Sequence, residues 1–577
     1  MKKKLLPALI VTGLIILVVI IMGITALINK YTPTKKTEDL KEYFNIFSDD
    51  EAALIVDNEL SDYKAKIIDK KIYVDYKFVH DSLNSRFYWD TNENVLLYTT
   101  ASDIISAAAD SNSYSVTKQT NDFGYPIVKA TSDSALIALD YVKQYSNITF
   151  KSYDDPARIV ITSKWDEIDS ATVSNSTQIR VKGGIKSPIL KEVKKDDKIT
   201  ILDSGDKWDK VATEDGVIGY IKRKALSESK KTKLTNPDYE EETFTHIKKD
   251  KDICLAWNQV TSQSANSKVP QVISSTKGIN VMSPTWFYLN DNNGNLADIA
   301  SKDYVSYCHS QGIEVWGLFS NLENTDVDAA YVLTHTSTRT TLINQIMSAA
   351  FNYELDGVNI DFENITEAAY GDSYIEFIRE LSIKCHNNGI SLSVDVTVPA
   401  SFNKFFNRSD MANFADYIVI MGYDEHYKGS DAGSVSSIPW VTEGVESTLK
   451  EVPADQIILG MPFYTRIWEL TPKEDDDAVT DTEDQSKYTV ASQVYSMDAA
   501  AAQLATNNAT AALDEESGQN YAEWSVSNKL YKVWLEDTTS LEKRLKLVDD
   551  NKLAGAAFWK LGFENSSVWD TVIKYLN

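Results

Sequence analysis

Eight apolar runs punctuate residues 246–577, at 253–257, 281–286, 314–318, 357–362, 391–398, 417–421, 457–462 and 554–559. Most are separated by stretches with helical periodicity, such as 340–353, 374–387, 441–450 and 540–550. Strands that are buried on both faces read as continuous apolar runs rather than as an alternation. Eight such strands alternating with helices predict a closed parallel (β/α)₈ barrel, the TIM barrel, because a doubly wound sheet would not need eight. The interval 469–533 is too long for one connection, so it predicts an insertion before the last helix and strand. Its acidic start, 474–484, reads as a solvated loop.

The chain ahead of the barrel divides into smaller parts. Lys2, Lys3 and Lys4 precede an uncharged, mostly apolar run from residue 5 to 28. As a helix it would be about 36 Å long, enough to cross a hydrocarbon core of about 30 Å. No small-x-small cleavage site precedes Lys30, so residues 1–36 read as a cytoplasmic lysine cluster and a single transmembrane signal anchor. A cleaved signal is the alternative, and either reading exports the body. Residues 37–166 contain a weak internal repeat of strand, short helix and hairpin: 72–79 returns as 135–142, and 87–98 returns as 150–161. Residues 167–230 read as short strands turning at Gly and Asp, and 231–245 as a polar linker before the barrel at 246–577.

Charge narrows the partners. The formal net charge is −26, and −32 once the six lysines of residues 1–36 are set aside. So acidic a body does not neutralise phosphates, which excludes nucleic acid as a partner. Cys254, Cys308 and Cys385 are too few and too far apart for a disulfide framework or a zinc pattern and read as small buried hydrophobes.

The fourth strand carries the chemistry. It reads Asp356-Gly357-Val358-Asn359-Ile360-Asp361-Phe362-Glu363. Period-two geometry turns Asn359, Asp361 and Glu363 to one face and Val358, Ile360 and Phe362 to the other, under the helices. Polar groups inside a barrel are costly unless partnered. Two carboxyls on one face raise one pKa at the other's expense, which suits a general acid at Glu363 held protonated by Asp361. Barrel active sites form at the C-terminal ends of the strands, where Glu363 falls.

This segment resembles the catalytic motif of family 18 glycoside hydrolases, Asp-x-x-Asp-x-Asp-x-Glu. Asp356, Asp361 and Glu363 match, and Asn359 replaces the middle Asp. The Asn form looks like the peptidoglycan-cleaving branch. Ser283-Pro284-Thr285-Trp286-Phe287 resembles the end of that branch's second strand. Met421-Gly422-Tyr423-Asp424 matches the family's Met-x-Tyr-Asp, with Glu425-His426 following; 460–464 ends the seventh strand, and 555–562 ends the eighth with the family's subsite tryptophan at Trp559. The resemblance implies substrate-assisted retaining catalysis, in which the N-acetyl group of the substrate is the nucleophile. It implies that Glu363 is the acid and then the base, that Asp361 orients the acetamido group and that Tyr423 donates to its carbonyl. Asn359 would hydrogen-bond Asp361. Substrate binding would fall to Asn359, Asp356, Met421, Asp424, Trp559 and Trp286. No metal and no cofactor is implied.

The other parts carry weaker resemblances. Residues 205–211 and 219–221 look like a bacterial SH3 domain, and the repeat is similar to the small domain named after the N-terminus of copper amine oxidases, common in exported Gram-positive proteins. Peptidoglycan, or another N-acetylhexosamine glycan, is the implied partner. A chitinase is the same-class alternative. A catalytically silent wall-binding protein is the other, against which the presence of Glu363 counts. Asp395, His426, Trp257, Trp316 and Trp468 remain open between a place at the barrel mouth and the core.

Overall fold

The computed structural model describes residues 2–363, 365, 368–473 and 484–576. The stretch read as an acidic solvated loop lies, but for Asp484, outside the described residues. The chain separates into two compact units: Met1–Trp89, Ala107–Tyr114 and Thr120–Glu241 form one, and Asp90–Ser106, Ser115–Gln119 and Glu242–Asn577 form the other.

The first unit begins with the helix Lys2–Tyr31, of which Pro7–Tyr31 is long and apolar enough to cross a membrane. Its two repeat strands, Lys71–Asp75 and Ala135–Ala138, pair antiparallel, and each runs directly into a short helix, Tyr76–Ser82 and Leu139–Tyr145. The second hairpin, Thr149–Tyr153 with Arg158–Thr162, stands in the same sheet. Residues 167–233 form a separate seven-stranded sheet, antiparallel at every pairing. Lys230–Lys233, at the head of the segment read as a linker, belongs to it and pairs with Glu167–Ser170.

The second unit holds the barrel. Its strands are β1 (Ile253–Asn258), β2 (Val281–Leu289), β3 (Glu314–Ser320), β4 (Gly357–Asp361), β5 (Ser391–Thr397), β6 (Tyr417–Met421), β7 (Ile457–Pro462) and β8 (Gly555–Trp559). Each pairs in parallel with the next, and β1 pairs with both β2 and β8, so the circuit closes. All eight fall where the apolar runs predict. Alternation sorts the side chains into two layers. Leu255, Trp257, Trp316, Leu318, Tyr417, Val419, Ile458 and Ala557 fill the interior. Val358, Ile360, Phe362, Leu392, Val394 and Ile420 pack outward against the helices.

The insertion sits after β7, as its length predicts. Strands Tyr464–Pro472, Tyr488–Ser496, Lys529–Leu535, Gln519–Val526 and Ala512–Asp514 form its sheet, with the helix Met497–Thr506 on one side. Residues 90–106, read as part of the repeat, group with the barrel. There the Asp90 carboxylate accepts from the Thr336 amide at 2.7 Å, and the Thr99 hydroxyl donates to Glu376 at 2.8 Å.

Buried ion pairs hold the helical layer in place. Arg339 meets Glu380 at 2.9 Å, and Arg379 bridges Glu376 and Asp410. Arg544, on the helix Thr538–Asn551, pairs with Glu536 at 2.6 Å and donates through Nε to the Ser436 carbonyl at 3.2 Å. Ser436 in turn donates to the Gly422 carbonyl at 2.5 Å, which fixes the loop that follows β6.

Strand β4 can run past Trp316 only because it begins with glycine. A Cβ at Gly357 would stand 2.6 Å from the indole Cδ1. Gly357→Ala is expected to cost about 1–3 kcal/mol through overpacking, read as a lower denaturation midpoint.

Candidate active site

Four inward-facing polar side chains from the barrel strands meet at Asn359, whose side chain is fully buried. Its Oδ1 accepts from Trp257 Nε1 and from Ser283 Oγ, each at 2.9 Å. Its Nδ2 donates to Asp395 Oδ1 at 2.7 Å and to Ser393 Oγ at 3.1 Å. Strands β1, β2, β4 and β5 each contribute, and every hydrogen-bonding position of the amide is used. The pattern also settles which end of the amide is oxygen, because an indole N–H can only donate. Asn359 therefore bonds Asp395 rather than Asp361, which corrects the expectation from the sequence. Its amide hydrogens are spent on the β5 side.

Asp361 lies one step up the strand. It is 9% exposed, and its Oδ1 is enclosed without a hydrogen-bond partner. Burial is the chief cause that pushes its carboxyl well above the usual range, and Asp395, Glu363 and Glu323 add to it by like-charge repulsion. Glu363 sits at the mouth, and its backbone N–H donates to Asn321 Oδ1 at 3.0 Å. Its carboxyl is also raised, first by partial enclosure and then by Asp424 and Glu323. The sequence reading has Asp361 raising Glu363 at its own expense. In the structure both rise, and the charges acting on Glu363 come from neighbouring loops.

Tyr423 and Asp424 follow β6. The Tyr423 ring lies edge-on to Trp257 at 6.5 Å and to Tyr464 at 6.3 Å. Burial raises its phenol well above the ordinary value, and Asp361 and Asp395 add to this. Asp424 takes the left-handed conformation, φ 62°, and accepts from the Tyr464 hydroxyl at 2.5 Å. Arg466 approaches it at 3.8 Å. Met421 ends β6 on the same inward face as Val419. Trp559 ends β8 half-buried, edge-on to Trp257 at 5.9 Å. Glu363, Asp361, Asn359, Tyr423, Asp424, Met421 and Trp559 thus share one end of the barrel.

Two candidates do not join them. Asp356 precedes β4, at the opposite end, where its Oδ2 is bonded by His309 Nε2 and by the Val315 amide, each at 2.8 Å. It ties two strand starts together and is out of reach of a substrate at Glu363. Trp286 is fully buried in the outward layer, with its Nε1 donating to Asn266 Oδ1 at 2.7 Å. Trp316 and Trp468 are core residues bonded to Glu314 and to the Gly433 carbonyl. His426 bonds the Asp431 carbonyl at 3.0 Å in the loop after β6. Ser283, Ser393, Asn321, Glu323 and Tyr464 belong to the site without having been singled out. Inward alternation marks Ser283 and Ser393, and Tyr464 closes the 460–464 match, whereas Asn321 and Glu323, in the loop after β3, carry no local signal. Among the described residues no cluster suited to a metal ion is present.

Residues 319–564 match the sequence profile of Glycosyl hydrolases family 18. The chain is 24% identical over 302 residues to the "Uncharacterized glycosylase YvbX" of Bacillus subtilis (strain 168), covering 49% of this chain and 81% of that protein. It is 24% identical over 287 residues to the "Cortical fragment-lytic enzyme" of the same strain, covering 48% of this chain and 63% of that one. The crystal structure of the Bacillus cereus spore cortex-lytic enzyme SleL superposes with a TM-score of 0.50 at 18% identity, over 60% of this chain and 79% of that one, a likeness of fold. Residues 319–564 carry a family 18 glycosidase domain, and the protein is a glycosidase.

Proposed function

We propose that the protein is an exported, membrane-anchored N-acetylglucosaminidase that cleaves β-1,4 bonds after N-acetylglucosamine in peptidoglycan. The observation that carries the reading is the inward pair Asn359 and Asp361 on β4, followed two residues on by the Glu363 carboxyl at the mouth with Tyr423 nearby. The cortical fragment-lytic name of a relative supports a wall glycan, and the apolar helix Pro7–Tyr31 supports anchoring. The modules at 37–166 and 167–230 serve as spacers or wall contacts. Chitin oligomers are the same-class alternative.

The chemistry follows from charge. The carboxyl of Glu363 stays protonated above the ordinary range of a glutamate, about 4.3. It gives its proton to the glycosidic oxygen as the bond breaks. The acetamido oxygen of the substrate attacks the anomeric carbon and becomes part of a cationic ring. Asp361 lies next to that position and stabilises the positive charge, while the Tyr423 hydroxyl donates to the acetamido carbonyl and orients it. Glu363, now ionised, takes a proton from water, which opens the ring with overall retention. Trp559 floors the sugar by stacking.

Mass spectrometry of muropeptides released by the full-length protein tests the reading. Products with reducing-end N-acetylglucosamine, absent with Glu363→Gln, are expected; no release from peptidoglycan at any pH between about 4 and 8 would overturn it. The pH profile has a defined sign. Activity falls as pH rises through the raised value of Glu363, and Glu323→Gln, which removes a like charge, moves that alkaline limb to lower pH. The two tryptophans separate cleanly. Trp559→Ala is expected to raise KM, whereas Trp286→Phe leaves KM unchanged and costs about 1–3 kcal/mol of stability by orphaning Asn266.

A further inference from the structure

An enclosed carboxylate oxygen with no donor is anomalous, and Asp361 Oδ1 is one. The register shows what stands beside it. The β4–β5 ladder pairs Asn359 with Ser393 and Ile360 with Val394, so the next inward pair is Asp361 and Asp395. Neighbouring strands lie about 4.8 Å apart, and side chains of one register level share a face. Asp395 is 3% exposed. Its Oδ1 is occupied by the donor from Asn359 at 2.7 Å. That donor cannot swing away, because Trp257 and Ser283 hold the other end of the amide.

We propose that Asp395 carries a proton and donates it through Oδ2 to Asp361 Oδ1, making Asp395 the positioning residue that fixes the acetamido-orienting carboxylate. The assignment rests on the mechanism given under Proposed function and extends it to a residue outside the contiguous motif. It satisfies the orphan acceptor, and it leaves the pair with one negative charge, held by Asp361 where positive charge develops. Two adjacent buried carboxyls cannot both ionise cheaply.

The surroundings agree. Asn359 faces the pair from β4, Glu363 from the mouth and Glu323 from the loop after β3. Tyr423 and Asp424 follow β6, Tyr464 opens the insertion, and Tyr374 lies on the helix Ala368–His386. Arg466 stands at Asp424. Burial first, and then like charge, raises both Asp361 and Asp395. The replacement of the motif's middle acid by Asn359 therefore moves the proton-bearing partner of Asp361 to the next strand.

Two variants of the whole chain test this. Asp395→Asn keeps a donor toward Asp361 and an acceptor for Asn359, so kcat is expected to stay close to wild type. Asp395→Ala removes both, and kcat is expected to fall roughly tenfold or more with KM little changed. In Asp395→Asn the alkaline limb loses the proton of the pair and becomes a single-proton titration. Equal loss in Asn and Ala variants would mean that Asp395 works as an anion, and no loss in Ala would mean that it only packs; either result overturns the proposal.

A second readout needs no turnover and no Ala variant. Carboxyls raised by folding stabilise the native state fully below their unfolded value, about 3.9, and that contribution is lost as pH rises through the folded value. Asp395→Asn removes one of them, so its thermal midpoint is expected to fall less than that of wild type between about pH 5 and 9. Midpoints that fall in parallel overturn the proposal. Glu363→Gln serves as the control for the catalytic reading. If wild type and Glu363→Gln are both silent on peptidoglycan and on N-acetylhexosamine oligomers, that reading fails while the midpoints still decide the proton on Asp395.

Discussion

A barrel interior must be filled, and filling it with polar groups is possible only if each finds a partner. Asn359 meets that constraint for four strands at once. Its amide accepts twice and donates twice, to groups on β1, β2 and β5. An unpaired amide in such a place costs several kcal/mol in an apolar medium, whereas a saturated one acts as a rigid joint. The floor of the site is therefore a saturated hydrogen-bonded joint, and Asp361 and Glu363 stand above it. Trp257 belongs to both layers: its N–H fixes Asn359, and its ring edges meet Tyr423 and Trp559.

Above that floor the carboxyls are crowded. Burial and like charge raise Asp361, Asp395 and Glu363, with Glu323 and Asp424 among the charges that act on them, and Arg466 stands at Asp424. Such crowding is unfavourable for folding. It is favourable for a reaction whose transition state gains positive charge, because a preorganised negative field needs no rearrangement when that charge appears. The helical layer holds the arrangement in place. The chain of contacts from Glu536 through Arg544 and Ser436 to Gly422 keeps the Tyr423–Asp424 loop at the rim.

Much of this was legible in the sequence, for reasons that can be stated residue by residue. The eight strands were visible because both of their faces are apolar. The facing of Asn359, Asp361 and Glu363 was visible because strand periodicity is two. Asp356 was misplaced because a motif is contiguous while a strand has length: seven residues span about 23 Å, from one end of the barrel to the other. Trp286 was misplaced although the same alternation that turns Ser283 inward turns residue 286 outward, and the ladder irregularity between Thr285 and Phe287 falls at this residue. The partners of Asn359 were hidden for a different reason. Trp257 and Ser283 lie 102 and 76 residues away, and only closure of the barrel brings them together.

The relocation of an acid from β4 to β5 follows from the same geometry. In a parallel barrel, positions of one register level on adjacent strands face the same interior, separated by one hydrogen-bonded strand spacing. A side chain that must reach Asp361 can therefore come from its own strand, two residues below, or from the neighbouring strand beside it. Asn359 closes the first route by committing its hydrogens to Ser393 and Asp395. Asp395 opens the second, and the amide that displaced the acid also holds the acid's replacement in position. A contiguous motif records only the first route. The second becomes visible once the register of the two strands is known.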